Sequence, residues 1–143
     1  MVATECKVHK LVSDVAALSD DRVLFVRYKD RSKYDGQKGW FLPDDYLNYE
    51  EHPRDGARRV LMEQAGIEAD VKSLSYIESF AGGPGGAWHI IFHYKVDLPK
   101  AARPSLGNNV AEAKWFPVTR LPPRKEMAHD GWGIDVLREI LRT

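Results

Sequence analysis

Residues 45–67 read DYLNYEEHPRDGARRVLMEQAGI, and the fold turns on this stretch. The spacing predicts a helix over Pro53 to Ala65. Proline suits a first helical turn, and Gly66 stands where a glycine closes the last one. Ala57, Leu61 and Ala65 recur every fourth residue and form a buried stripe. Gly56 inside the helix is unfavourable by about 1 kcal/mol and therefore points to close packing at that spot. Upstream, Trp40-Phe41-Leu42-Pro43 is a short apolar strand stopped by proline, preceded by a polar loop over 30–39. Before it, Val8–Leu18 and Val23–Tyr28 flank Ser19-Asp20-Asp21-Arg22 as a hairpin.

Downstream, Val71–Phe80 has strand composition, and the glycine-rich 81–86 leads into a second strand, Trp88–Val96. Along it Trp88, Ile90, Phe92, Tyr94 and Val96 read as a core face, while His89, Ile91, His93, Lys95 and Asp97 read as the more polar face. Val110–Val118 is a further strand, stopped by Leu121-Pro122-Pro123. Trp132–Leu141 is a closing amphipathic helix with Ile134, Val136, Leu137, Ile140 and Leu141 as its apolar set. Strands interrupted by one helix and closed by another make an α/β (α+β) sandwich, a single domain over 1–143.

Composition narrows the function. The 143 residues are 43% hydrophobic and 29% charged, with 21 Lys+Arg against 21 Asp+Glu. A formal net charge of zero gives no general argument for binding nucleic acid or an anionic membrane, which need a basic face or stripe. Cys6 is the single cysteine, which excludes an internal disulfide and a cysteine-built zinc cage. No apolar run has the length of a membrane span, and Met1–Lys10 lacks the apolar core of a signal peptide. The expectation is a cytoplasmic domain.

The stretch 45–67 resembles the Nudix box, G-x5-E-x7-R-E-U-x-E-E-x-G-U with U aliphatic. Glu51, Arg59, Leu61, Glu63, Gly66 and Ile67 match it, whereas Asp45, Val60 and Gln64 replace a glycine and two glutamates. Gly39-Trp40-Phe41-Leu42-Pro43 is similar to the family's glycine-tryptophan-x-leucine-proline strand, with Asp44-Asp45 in place of its glycine pair. Leu24-Phe25-Val26-Arg27 resembles the second strand, and Glu112-Ala113-Lys114-Trp115 the late acid-x-x-tryptophan pattern. The resemblance implies an α/β/α sandwich with a mixed β-sheet between helices. It also implies hydrolysis of a nucleoside diphosphate linked to another moiety, so the expected partner is a small-molecule nucleotide derivative, with a homodimer as a further expectation.

The chemistry explains why the misses matter. A pyrophosphate is polyanionic, and its hydrolysis needs a divalent cation to neutralise charge and activate water. Helical positions three and four apart share a face, so positions 60, 63 and 64 are expected to turn toward one pocket with Glu51. Valine cannot ligate there, and glutamine offers only a neutral carbonyl oxygen. Glu51 and Glu63 remain as the catalytic and metal-binding candidates. Asp44 and Asp45 can relocate the metal site, or they can form an exposed turn that favours aspartate anyway. The resemblance implies Mg²⁺ or Mn²⁺ if the chain is active, and no metal at all if it is silent. It makes Arg59 and Gly66 structural, with the arginine orienting the glutamates.

Three residues outside the box are candidates for substrate binding. Arg27 offers a planar fork of donors for phosphate, Trp88 an aromatic surface for a base, and Glu112 a late acid. Each also has a plain reading, as a surface arginine, a strand tryptophan or an acid paired with a neighbouring base. His89 and His93 lie four residues apart on a strand, about 13 Å, too far to share one ion. The glycines of 82–86 can cradle phosphate through backbone N–H groups or simply connect two strands. Three functions follow: a hydrolase with a thinned metal site, a catalytically silent nucleotide-binding domain with a regulatory role, or an interaction module.

Overall fold

The computed structural model describes residues 9–82 and 86–142. Cys6, Val8 and residues 83–85 of the glycine-rich loop lie outside the described residues. The elements are β1 (His9–Ser19), β2 (Arg22–Tyr28), β3 (Asp44–Tyr46), α1 (Pro53–Ala65), β4 (Ser73–Gly82), β5 (Ala87–Asp97), β6 (Val110–Pro117) and α2 (Trp132–Arg142). They form one mixed sheet in the order β4-β5-β1-β2-β6, with β3 added to β1 at Val12–Asp14. β1 and β5 run parallel from His9 opposite Trp88 to Leu18 opposite Asp97. The β1–β2 hairpin turns on Asp20 and Asp21, both left-handed at φ 48° and 58°, a conformation aspartate tolerates.

Successive residues of a strand point to opposite faces, and β1 uses both. Val15 and Ala17 meet Ala57, Leu61 and Ala65 of α1, with Leu24 and Tyr94 filling the layer. Ala16 and Leu18 meet Ile134, Val136, Leu137 and Ile140 of α2, together with Val23 and Phe25. The helices thus cover opposite sides of the sheet, the expected α/β/α sandwich.

Two expectations change. The short strand expected at 40–43 is displaced: Trp40 and Phe41 make only isolated bridges, to Met127 and Val26, and the paired strand falls on Asp44–Tyr46. Trp40 and Leu42 turn into the α2-side core instead, and Asp44 is buried rather than exposed on a turn. Along β5 the division into core and polar faces also fails. Trp88 is exposed while Ile91 and His93 are buried, because a sheet covered on both faces has no solvated side.

α1 begins and ends as its sequence dictates. Pro53 opens it, His52 Nδ1 accepts from Arg54 N–H at 3.0 Å, and Gly66 closes it in the left-handed region at φ 66°. The loop at 105–107 then seals the exposed carbonyls: Ser105 N–H donates to Ala65 O at 2.8 Å and Gly107 N–H to Gln64 O at 3.2 Å. A Cβ on Gly107 would stand 2.0 Å from Glu63 O and 3.2 Å from Gln64 Cα. All the obstructing atoms are backbone, so Gly107→Ala must push the loop off the helix end. The expected cost is about 1–3 kcal/mol, read as a lower urea midpoint at unchanged slope; an unaltered midpoint would contradict this packing.

Candidate active site

Arg59 organises the box. Its Nε and Nη2 donate to Glu51 Oε2 and Oε1 at 2.9 and 3.0 Å, its Nη1 to Glu63 Oε2 at 3.2 Å, and Nη2 also to Tyr46 O at 2.9 Å. One guanidinium therefore ties the end of β3, Glu51 and the middle of α1 together, and it meets both glutamates as the resemblance implied. The hydrogen bonds from Arg59 hold the Glu51 carboxyl below the usual carboxylate range. Asn48 N–H adds a third donor to Glu51 at 3.1 Å. Glu51 is consumed by these internal bonds, whereas the Glu63 side chain is 57% exposed.

Glu63 lines a cavity of about 330 Å³ together with Asp45, Gln64, Lys33, Tyr28 and Asn108–Asn109. The shared pocket expected for positions 60, 63 and 64 therefore holds for two of them. Val60 is buried at 1% exposure, and neither it nor Glu51 lines either cavity. Gln64 is locked by neutral hydrogen bonds. Its Nε2 donates to Asp44 O at 2.9 Å, and its Oε1 accepts from the Tyr28 hydroxyl at 2.9 Å. Asp44 N–H in turn donates to that hydroxyl at 3.2 Å.

The two aspartates after Pro43 part company. Asp44 turns inward, where burial pushes its carboxyl well up and neighbouring Asp14 adds to the push. Asp45 meets Lys33 Nζ at 2.8 Å and faces both cavities. The second cavity, about 530 Å³, is lined by Tyr34, Phe41, Tyr46, Phe80, His89 and Trp132 among others. It lies against the sheet face that carries α2. Phe80 and His89 stack there at 5.0 Å and 8°.

Arg27 and Glu112 are brought together, but by each other. They are register partners on β2 and β6, joined at 3.3 Å, and the guanidinium sits 4.3 Å over the Trp40 ring. Trp88 donates its Nε1–H to Ser79 Oγ at 2.7 Å. None of the three lines either cavity.

One constellation went unforeseen. His93 is wholly buried between Asp14, at 2.7 Å from Nδ1, and Glu78, at 2.6 Å from Nε2. Tyr76 stacks on it at 4.4 Å. The signal available was Asp14 itself, a charge inside the apolar run of the first strand. Lys33 was missed as well, and nothing in a polar loop singles it out.

The donor set can be set against a hard cation. Among the described residues no three His, Cys, Asp or Glu side chains gather in a set able to hold a metal ion. Two carboxylates, Glu63 and Asp45, do face one cavity, and Mg²⁺ ordinarily needs only one or two when phosphate oxygens complete its shell. The two carboxylates fit a hard cation only where further oxygen ligands come from outside the chain.

A mixed sheet carrying a helix on each face, with an arginine-clamped loop–helix–loop at the mouth of a cleft, defines a Nudix-type domain. The family described as NUDIX domain matches residues 9–135, and the chain belongs to it. It superposes on a NUDIX hydrolase from Nitrosomonas europaea with a TM-score of 0.75 at 16% identity, over 93% of this chain and 88% of that one. For a MutT NUDIX hydrolase from Burkholderia pseudomallei the TM-score is 0.75 at 18% identity, over 93% and 98%. For the NUDIX domain of Shewanella oneidensis NrtR, solved with ADP ribose, it is 0.72 at 21%, over 94% and 90%. At such identities the likeness is one of fold. No relative among the curated proteins matches the chain.

Proposed function

We propose that this chain is a Nudix-type hydrolase of a nucleoside diphosphate linked to another moiety, slowed by a metal site thinned at Gln64. The observation that carries the reading is the pair of adjoining cavities: a large aromatic one suited to a base, and a smaller one edged by Glu63 and Asp45. The NrtR domain with ADP ribose supports the ligand class. In this reading Glu63 and Asp45 hold the divalent cation, and Arg59 keeps Glu63 aimed through its 3.2 Å bond. A cation bound there neutralises diphosphate charge and acidifies water. Glu51 serves geometry, since its oxygens are taken by Arg59 and Asn48. Gln64 supplies neither negative charge nor basicity.

The test is a product-release assay over ADP-ribose and other nucleoside diphosphate derivatives with Mg²⁺ or Mn²⁺. Slow turnover is expected, falling about 10²-fold or more in Glu63→Gln, the scale of one catalytic carboxylate, and also falling in Asp45→Asn. Turnover that ignores both changes would refute these roles. Binding without any turnover would instead mark a silent domain.

A further inference from the structure

The two cavities share one wall, formed by Lys33, Tyr34 and Asp45. We infer that Lys33 is the residue that positions the ligand's diphosphate, seizing it as it crosses from the aromatic cavity to the carboxylate-edged one. This rests on the nucleoside diphosphate reading above.

Several observations converge on that lysine. Among the described residues it is the single lysine or arginine lining the smaller cavity, and it lines the larger one too. Among the described residues lining the larger cavity, Lys33 is the one lysine or arginine, beside His89, His129 and the acids Asp35 and Asp45, so an anionic group there finds a permanent positive charge at the Lys33 end. The lysine backbone is fixed: Lys33 lies in the short turn Ser32–Tyr34, its carbonyl accepts from the Tyr46 hydroxyl at 3.2 Å, and the next ring, Tyr34, stacks on Tyr28 at 3.8 Å. The ammonium itself is 2.8 Å from Asp45 Oδ1 and 5.9 Å from the Tyr46 ring, and its side chain is 48% exposed. The Asp45 side chain is only 17% exposed, so the pair is open on the lysine side, where a flexible, solvated ammonium can exchange one anionic partner for another.

The exchange has a chemical logic. Without ligand, Lys33 and Asp45 neutralise each other. When a diphosphate arrives, the lysine transfers to phosphate oxygens, three donors on a flexible stem being suited to a point contact with phosphate. Asp45 is then released with its negative charge facing the same cavity as Glu63. Ligand arrival thereby assembles the carboxylate pair that the box alone does not provide.

Calorimetric titration with ADP and with adenosine, both in EDTA, tests this on the whole chain without relying on turnover. Lys33→Met is expected to weaken ADP about tenfold or more, the scale of a charge-assisted hydrogen bond, and to leave adenosine unchanged. Lys33→Arg should restore ADP binding. Lys29→Met, a charge change on the exposed residue that follows β2, should not alter it. Asp45→Asn should tighten ADP in EDTA, the opposite of its expected effect on turnover. If Lys33→Met binds ADP as the native chain does, the inference falls alone. If the native chain binds ADP with Mg²⁺ but not in EDTA, the inference again falls alone; if it binds ADP under neither condition, the proposed ligand class falls, and the role of Lys33 with it.

Discussion

Replacing His93 by leucine is expected to lower the unfolding free energy by about 3–5 kcal/mol, the range for breaking a buried charged set by removing one partner. His93 and Asp14 are both fully buried, so the variant leaves the Asp14 carboxyl facing leucine inside the sheet sandwich. Its pH dependence separates this from ordinary repacking. Burial opposes a charged imidazole at 93, yet Asp14 and Glu78 outweigh it and push the pKa from 6.5 up to about 9. A folded-state pKa above the unfolded one stabilises fully below the unfolded value and ceases to do so as pH climbs through the folded one. Native stability should therefore decline from near pH 6.5 to beyond about 9. Asp14, whose carboxyl burial raises against the pull of His93, contributes in the same direction. In His93→Leu the decline moves to lower pH, because Asp14 alone resists ionisation. Urea unfolding across this pH range reads both effects; an unchanged profile in the variant would disprove the buried charge.

Gln64→Glu should behave as two different proteins, with and without metal. Without it, the variant loses the amide donor to Asp44 O and sets a carboxylate beside a buried aspartate. That costs about 1–3 kcal/mol, the range for stranding a buried polar group. With Mn²⁺ or Mg²⁺ the new carboxylate joins Glu63 and Asp45 on one cavity. Stability should then recover with metal concentration, as for any ligand that binds only the folded state. Hydrolysis should rise about 10²-fold, the lower range for a restored acid–base group. Val60→Glu is not an equivalent repair, since Val60 is buried and lines neither cavity. A variant as stable as the native chain, indifferent to metal and no faster, would show that Gln64 is not the deficit.

Local signals carried the sequence reading a long way. Pro53 and Gly66 bounded α1 correctly because capping is decided by the residues at the ends. Arg59 and Glu51, eight residues apart, were legible through the box and do meet. What escaped depends on residues distant in the chain. Asp14 and His93 are 79 positions apart, and alternation along β5 could not reveal that α2 covers the face His93 occupies. Gln64 was legible as a poor ligand, but its bond to Asp44 O spans 20 positions and needs β3 to swing beside α1. Asp44 and Asp45 read alike in sequence. Only the β1–β3 pairing turns one inward and leaves the other for Lys33.

A Mn²⁺ titration of the native chain and of Gln64→Glu, followed by electron paramagnetic resonance without nucleotide, tests the proposed metal site directly. Glu63 and Asp45 alone should saturate only at metal concentrations far above that of the protein, with the variant binding much more tightly. Tight, stoichiometric Mn²⁺ on the native chain, unaltered by the substitution, would contradict a site short of carboxylates.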